Sequence, residues 1–183
     1  FLGVAGKISP DDINENFIRK SELVFLEGYL WDEGEPKAAF DKALAAANKS
    51  AMSLSDKFCV DRHKKSFYEL VKYKLDIIFS NEQEIVELID AKTFDDVIGF
   101  GKSLNKVLVV TRSDKGSVAI NGSEVTECEG QKDLKIIDLT GAGDLFAAGF
   151  LHGYINKMST KNNLIKGTEM ASKIIQKIGA RLD

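Results

Sequence analysis

Cysteine, proline and tryptophan are scarce in this chain: two, two and one among 183 residues. Cys59 and Cys128 lie far apart, form no CxxC pair and are too few for a disulfide framework. That excludes a small disulfide-stapled scaffold and suits a reducing, cytoplasmic setting. A strong charge of either sign is also missing. The formal net charge is −3, which leaves no broad basic footprint for nucleic acid or an anionic membrane. The single basic run, Arg62-His63-Lys64-Lys65, is short and leads into Phe67, Leu70 and Val71, as a solvated helix face does. No apolar run approaches the roughly 18 residues of a membrane span. The opening stretch, Phe1-Leu2-Gly3-Val4-Ala5-Gly6, has neither a basic region nor an initiating Met, and reads as the interior of a longer chain rather than a signal peptide.

Two nucleotide-binding signatures are absent as well. GxxxxGK[ST] does not occur, and Ile165-Lys166-Gly167-Thr168 resembles only its end. No GxGxxG follows the first strand, which argues against a dinucleotide-binding oxidoreductase. His63 and His152 have no partners at metal-ligand spacing. What is present is ordinary globular material: 44% hydrophobic and 29% charged residues, enough for a real core.

Ser9-Pro10-Asp11-Asp12 predicts a helix start, because Ser9 can cap, Pro10 fits the first turn and acids suit the positive end of the dipole; this helix is expected to reach Lys20. Leu23 to Leu26 reads as a buried strand ended by Glu27-Gly28, with Tyr29 and Trp31 closing over the sheet edge. Helices are expected from Pro36 to about Lys49, Val60 to Tyr73, Glu82 to Ile89 with Asn81 as cap, and Phe94 to Ser103. Two more are expected from Gly141 to about Lys157 and from Leu164 to about Ile178. Ala51 to Ser55, Ile77 to Phe79 and Lys106 to Thr111 read as strands. Gly116 to Ile120 and Glu124 to Cys128 flank Asn121-Gly122, a favoured hairpin turn. Short β-branched strands alternating with amphipathic helices predict an α/β fold with a mainly parallel sheet covered on both faces. No repeat or linker interrupts the pattern, so residues 1–183 read as one domain.

In such a sheet ligands gather at the carboxyl ends of strands. Three polar clusters fall there: Asn81 to Glu84, Thr111 to Gly116, and Asp138-Leu139-Thr140-Gly141-Ala142-Gly143-Asp144. The heptad says most. Gly141-Ala142-Gly143 leaves backbone N–H groups unobstructed at a helix N-terminus, where the dipole favours an anion such as a phosphoryl group. Asp144, beside that cradle, is able to accept a proton from an attacking hydroxyl. Taken alone, the same residues also describe a glycine-rich turn with a helix-stabilising acid. Asn81 and Glu84 alone describe a capping box, Arg112 a solvated turn residue, and Phe58 a core aromatic.

The run Asp138 to Phe150 closely resembles the C-terminal signature of the PfkB, or ribokinase-like, carbohydrate and nucleoside kinases, with Leu139 where the family usually has Thr or Val. Asn81-x-x-Glu84 matches the family's NxxE element. Thr111 and Gly116 match the ends of a nucleotide-contacting TxGxxG turn in which Ser113 replaces the middle glycine. Gly179-Ala180-Arg181 resembles the terminal GA segment, and Ser53 to Phe58 resembles the adenosine-kinase-like branch.

The resemblance implies a three-layer αβα fold and transfer of the ATP γ-phosphoryl to a hydroxymethyl group of a sugar or nucleoside. Asp144 would be the base, and the Ala142, Gly143 and Asp144 amides, in the catalytic turn that begins at Gly141, would form the anion hole. Asn81 and Glu84 would organise Mg²⁺ through water. Asp138 and Thr140 would hold a monovalent cation, commonly K⁺. Thr111, Arg112 and Gly116 would line the nucleotide, and Phe58 would lie by a nucleoside base. Family members also carry an N-terminal portion with a lid, through which many dimerise, and nothing here corresponds to it. The chain therefore resembles the C-terminal portion of such a kinase. The rival reading is a truncated, catalytically inactive nucleotide-binding fragment, because without a positioned hydroxyl nothing turns over.

Overall fold

The computed structural model describes residues 3–31 and 34–182; Phe1 and Leu2 of the opening stretch lie outside them. The chain forms two compact units, residues 1–100 and 101–183.

In the first unit three strands, β1 (Val24–Glu27), β2 (Ser50–Ser53) and β3 (Ile77–Asn81), pair in parallel in chain order. Ala51, Met52, Ile77 and Ile78 are fully buried. A parallel strand covered on both faces reads as such a continuous apolar run. Five helices belong to this stretch: α1 (Glu15–Arg19), α2 (Glu35–Ala46), α3 (Lys57–Glu69), α4 (Glu82–Ile89) and α5 (Phe94–Ser103), the unit boundary falling within α5. Trp31 is buried, not an edge cover, and its ring meets Phe40 of α2 and Phe67 of α3 edge-on at 4.8 and 6.2 Å.

Two helices depart from expectation. The helix expected from Pro10 to Lys20 is two pieces. Ser9 and Asp12 close a capping box around one 3₁₀ turn (Pro10–Asp12), and Asn14 then caps afresh by accepting from the Phe17 N–H at 3.1 Å. α3 starts three residues before Val60 because Asp56 caps it, accepting from the Cys59 N–H at 2.6 Å. Its continuation, Leu70–Lys74, is a π turn closed by the Leu75 N–H on the Leu70 carbonyl.

In the second unit β4 (Val107–Thr111), β5 (Ser117–Asn121) and β6 (Glu124–Cys128) form an antiparallel meander. The hairpin loop is Gly122-Ser123, one residue later than expected, since Asn121 still pairs with Glu124. Gly122 has φ +56° and Ser123 does not enter the left-handed region, the pattern of a turn with glycine at its first centre. Helices α6 (Ala142–Ile155) and α7 (Thr160–Ile174) pack closely on each other. α7 starts a turn before Leu164 because Ser159 caps it. It ends early because the Ile175 carbonyl is taken by the Ile137 N–H at 2.8 Å. Among the described residues no helix is long and apolar enough to cross a membrane.

The α6–α7 contact depends on missing side chains. A Cβ on Gly149 would lie 2.6 Å from the Lys166 carbonyl, and one on Gly167 2.8 Å from the Phe146 carbonyl. Backbone cannot yield as a flexible side chain can. Gly149→Val is therefore expected to destabilise the protein by about 2 kcal/mol, lowering the thermal midpoint by roughly 4–8 °C. Gly99→Ala, on a helix with open space around the new methyl, is expected to raise stability by about 0.5 kcal/mol. Parallel melts by circular dichroism check both.

Candidate active site

The heptad occupies the turn before α6, and three donors on one carboxylate hold it. Asp138 Oδ1 accepts from the Thr140 N–H at 2.9 Å and the Thr140 hydroxyl at 2.7 Å, and Oδ2 accepts from the Gly179 N–H at 2.9 Å. These bonds, the Thr140 hydroxyl first, hold the Asp138 carboxyl down at about 2. Gly141 sits at φ +78°, and a Cβ there would meet Ala180 Cβ at 2.9 Å. The turn and the terminal Gly179-Ala180 segment are thus packed together, a contact the sequence did not disclose.

At the N-terminus of α6 the backbone donors divide. The Ala142 N–H donates to the Leu139 carbonyl at 3.2 Å, and the Leu145 N–H to the Gly141 carbonyl at 2.9 Å. The Gly143 and Asp144 N–H groups have no partner among the described residues. The expected anion hole of three amides accordingly has two unengaged ones, with Ala142 already bonded in the turn. Gly143 is also the glycine that packing does not require, because a Cβ there meets nothing within 4 Å. In the first turn of α6 it leaves the space beside it open. Two unsatisfied N–H groups at the positive end of a 14-residue helix fit an anion. The Asp144 side chain is exposed on the same turn.

Thr111, Arg112 and Gly116 belong to the β4–β5 connection. The Arg112 N–H donates to the Gly116 carbonyl at 2.8 Å and the Gly116 N–H to the Ser113 carbonyl at 3.1 Å. Gly116, at φ +86°, has no room for a side chain, since a Cβ would lie 2.0 Å from the Cys128 carbonyl. Ser113 adopts φ +54°, so serine there takes the left-handed backbone that glycine ordinarily supplies.

In the first unit Asn81 and Glu84 form a full capping box. The Asn81 N–H and Nδ2 donate to the two Glu84 oxygens at 2.9 and 2.6 Å, and the Glu84 N–H donates to Asn81 Oδ1 at 2.9 Å. Glu84 is only 4% exposed. Burial first, then the Asp56 carboxylate, push it up to about 7 against the bond from Asn81. A cation beside Glu84 would offset that penalty, so the pair fits a hydrated divalent ion held through water. Phe58, by contrast with a core aromatic, is 76% exposed in the first turn of α3. Asp56 is the residue that sequence patterns undervalued. It caps α3, and its charge acts on both Glu84 and Tyr29.

A raised carboxyl has a defined linkage. Glu84 favours its neutral form when folded, so its contribution is full below about pH 4.5 and is lost as pH rises through about 7. In chelator-treated protein, unfolding free energy from urea titrations is expected to fall by roughly 2 kcal/mol over that window on this account. Glu84→Gln, which removes the titrating group and keeps one acceptor for the Asn81 N–H while losing the one for its Nδ2, is expected to flatten the slope.

The family model described as pfkB family carbohydrate kinase matches residues 2–183. The crystal structure of adenosine kinase from Sinorhizobium meliloti superposes with a TM-score of 0.91 at 35% identity, covering 96% of this chain and 55% of that one. A ribokinase II structure from E. coli, solved with ATP and Mg²⁺, superposes with a TM-score of 0.84 at 18% identity, covering 96% and 59%. Fructoselysine 6-kinase of Escherichia coli K12 is 26% identical over 166 residues, 91% of this chain and 59% of that enzyme. The chain thus spans a little over half the length of the relatives it matches. Its fold is the three-layer α/β fold of the ribokinase type, and the chain belongs to the pfkB family of carbohydrate kinases.

Proposed function

We propose that this chain is the ATP-binding and catalytic portion, residues 1–183, of a kinase that phosphorylates a hydroxymethyl group of a sugar or nucleoside. One observation carries the reading: two backbone N–H groups, of Gly143 and Asp144, are unengaged at a helix N-terminus whose third residue is an exposed carboxylate. The Asp144 carboxylate takes the proton from the acceptor hydroxyl as its oxygen bonds to the γ-phosphorus and the bond to the ADP oxygen breaks. The Gly143 and Asp144 amides donate to the phosphoryl oxygens whose charge grows during transfer. Asn81 and Glu84 would hold Mg²⁺ through water, where it would supply positive charge beside the phosphates. Thr111, Arg112 and Gly116 line the nucleotide, and Phe58 offers its exposed ring to a base. Asp138 keeps a negative charge beside the hole. With Thr140 it is the candidate seat of a monovalent cation such as K⁺, although in the present geometry its oxygens brace the turn. Neither Cys59 nor Cys128 forms a disulfide, in keeping with a reducing cytoplasm.

Nucleoside and sugar acceptors are both represented among the relatives, an adenosine kinase at 35% identity standing beside a sugar kinase protein from Rhizobium etli at 34%. Because the chain spans just over half of those relatives, nucleotide binding without turnover is the expectation for these 183 residues by themselves. Calorimetric titration with MgATP is expected to give saturable binding; no heat of binding would mark an inert remnant. In the whole protein, Asp144→Asn is expected to lower kcat by about 10²–10⁴-fold with adenosine, ribose or fructose as acceptor, leaving nucleotide affinity within a few-fold. Near-normal turnover in that variant would remove Asp144 as the base.

A further inference from the structure

A second corner lies in the first unit, at the carboxyl ends of β1 and β2, and it is built around one serine. Ser55 has φ +74°, and the Asp56 N–H donates back to the Leu54 carbonyl at 3.1 Å. This two-residue hydrogen-bonded ring around a left-handed residue is the strained form of the γ-turn. A non-glycine residue held there costs about 1–3 kcal/mol and persists only where its surroundings determine it. Here they do. The Ser55 hydroxyl donates toward Glu27 Oε2 at 3.1 Å and accepts from the Tyr29 N–H at 3.1 Å. The Ser55 N–H donates to Ser53 Oγ at 3.2 Å, and the Tyr29 phenol donates to the Ser55 carbonyl at 3.3 Å.

The strained residue leads directly into the first turn of α3. Asp56 caps that turn, Phe58 projects from it with 76% of its surface exposed, and Cys59 donates its thiol to the Gly28 carbonyl at 3.2 Å. A Cβ on Gly28 would be tightly placed, 3.0 Å from the Ser53 carbonyl. The end of β1 is therefore pressed against the end of β2 at the point where the serine is bonded. Tyr29 is pushed up to about 12 by burial and by its hydrogen bond to Asp56, so it stays a phenol donor across the physiological range.

We propose that Glu27, Tyr29 and Ser55 form a latch that positions the first turn of α3, so that Asp56 and the ring of Phe58 face an acceptor in fixed orientation. The proposal rests on the kinase reading for what the acceptor is, and on the γ-turn network for the latch itself. Tyr29 and Ser55 are positioning residues: they act on the acceptor through Phe58 and Asp56. Strain at Ser55 serves this role because a relaxed turn would leave α3 free to start in more than one direction.

Cys59 is 1% exposed within this corner, so thiol labelling in a Cys128→Ser background reads the latch without any ligand. Tyr29→Phe and Ser55→Ala are each expected to speed labelling of Cys59 roughly tenfold, about 1.4 kcal/mol of lost local stability. In the whole protein each is expected to weaken adenosine binding about tenfold by calorimetry while MgATP affinity stays within about twofold. Ser55→Gly, which relieves the strain but removes the hydroxyl, is expected to behave as Ser55→Ala. Wild-type behaviour of Ser55→Gly would show that backbone angle alone matters and would overturn the latch. So would unchanged labelling in Tyr29→Phe and Ser55→Ala, or adenosine and MgATP affinities falling together with the thermal midpoint, the mark of general destabilisation. If the unsubstituted chain binds neither ligand, the kinase reading fails for this chain and the labelling rates alone judge the latch.

Discussion

Everything at the proposed phosphoryl site depends on the carboxylate of Asp138. It receives three donors from the turn and from the terminal segment, and they keep it ionised far below neutral pH. Held this way, residues 138–141 reverse direction with Gly141 left-handed against Ala180. The first turn of α6 then emerges with two N–H groups unsatisfied. An unsatisfied donor is tolerable at a solvent-facing helix end and useful there, since an anion supplies what the chain withholds. The brace and the cradle are one arrangement: moving Asp138 would move the donors.

Glu84 is the opposite use of a carboxylate. Asp138 sits among donors and stays charged, whereas Glu84 is buried and near a second acid, so ionising it is unfavourable. Its bonds to Asn81 satisfy its oxygens but do not offset the desolvation. Two acids of similar intrinsic strength thus differ by about five units, about 2 against about 7. The difference is set by how many donors each oxygen meets and by how far each carboxyl is withdrawn from water.

Much of this was legible from the residues alone. Asn81 and Glu84 announced a helix start at the right residue because a capping box is local, and local hydrogen bonds leave local patterns. Phe94 to Ser103 and both arms of the hairpin were legible for the same reason. The failures share a cause. Asn14 restarting a helix after Ile13, the π turn at Leu70 and the left-handed Ser55 depend on partners elsewhere in the chain or on a choice between two adjacent caps. Ser159 was passed over because Lys161, Asn162 and Asn163 hide the apolar period of α7, although Asn163 is buried. In the site, positions were legible but occupancy of donors was not. Nothing in Gly-Ala-Gly-Asp tells that the Ala142 amide closes the turn while its two successors stay open.

The proposed chemistry rests partly on main-chain N–H groups, which every residue but proline supplies. Side-chain size is constrained where a Cβ has no space: Gly141 against Ala180, Gly116 against the Cys128 carbonyl, Gly149 against Lys166. Leu139, 65% exposed in the heptad, contributes its carbonyl to the Ala142 N–H. Replacing the Thr or Val usual there therefore changes no hydrogen bond of the turn. Glycines permit the close approaches, Asp138 braces the turn, and Asp144 places a carboxylate on the first turn of α6.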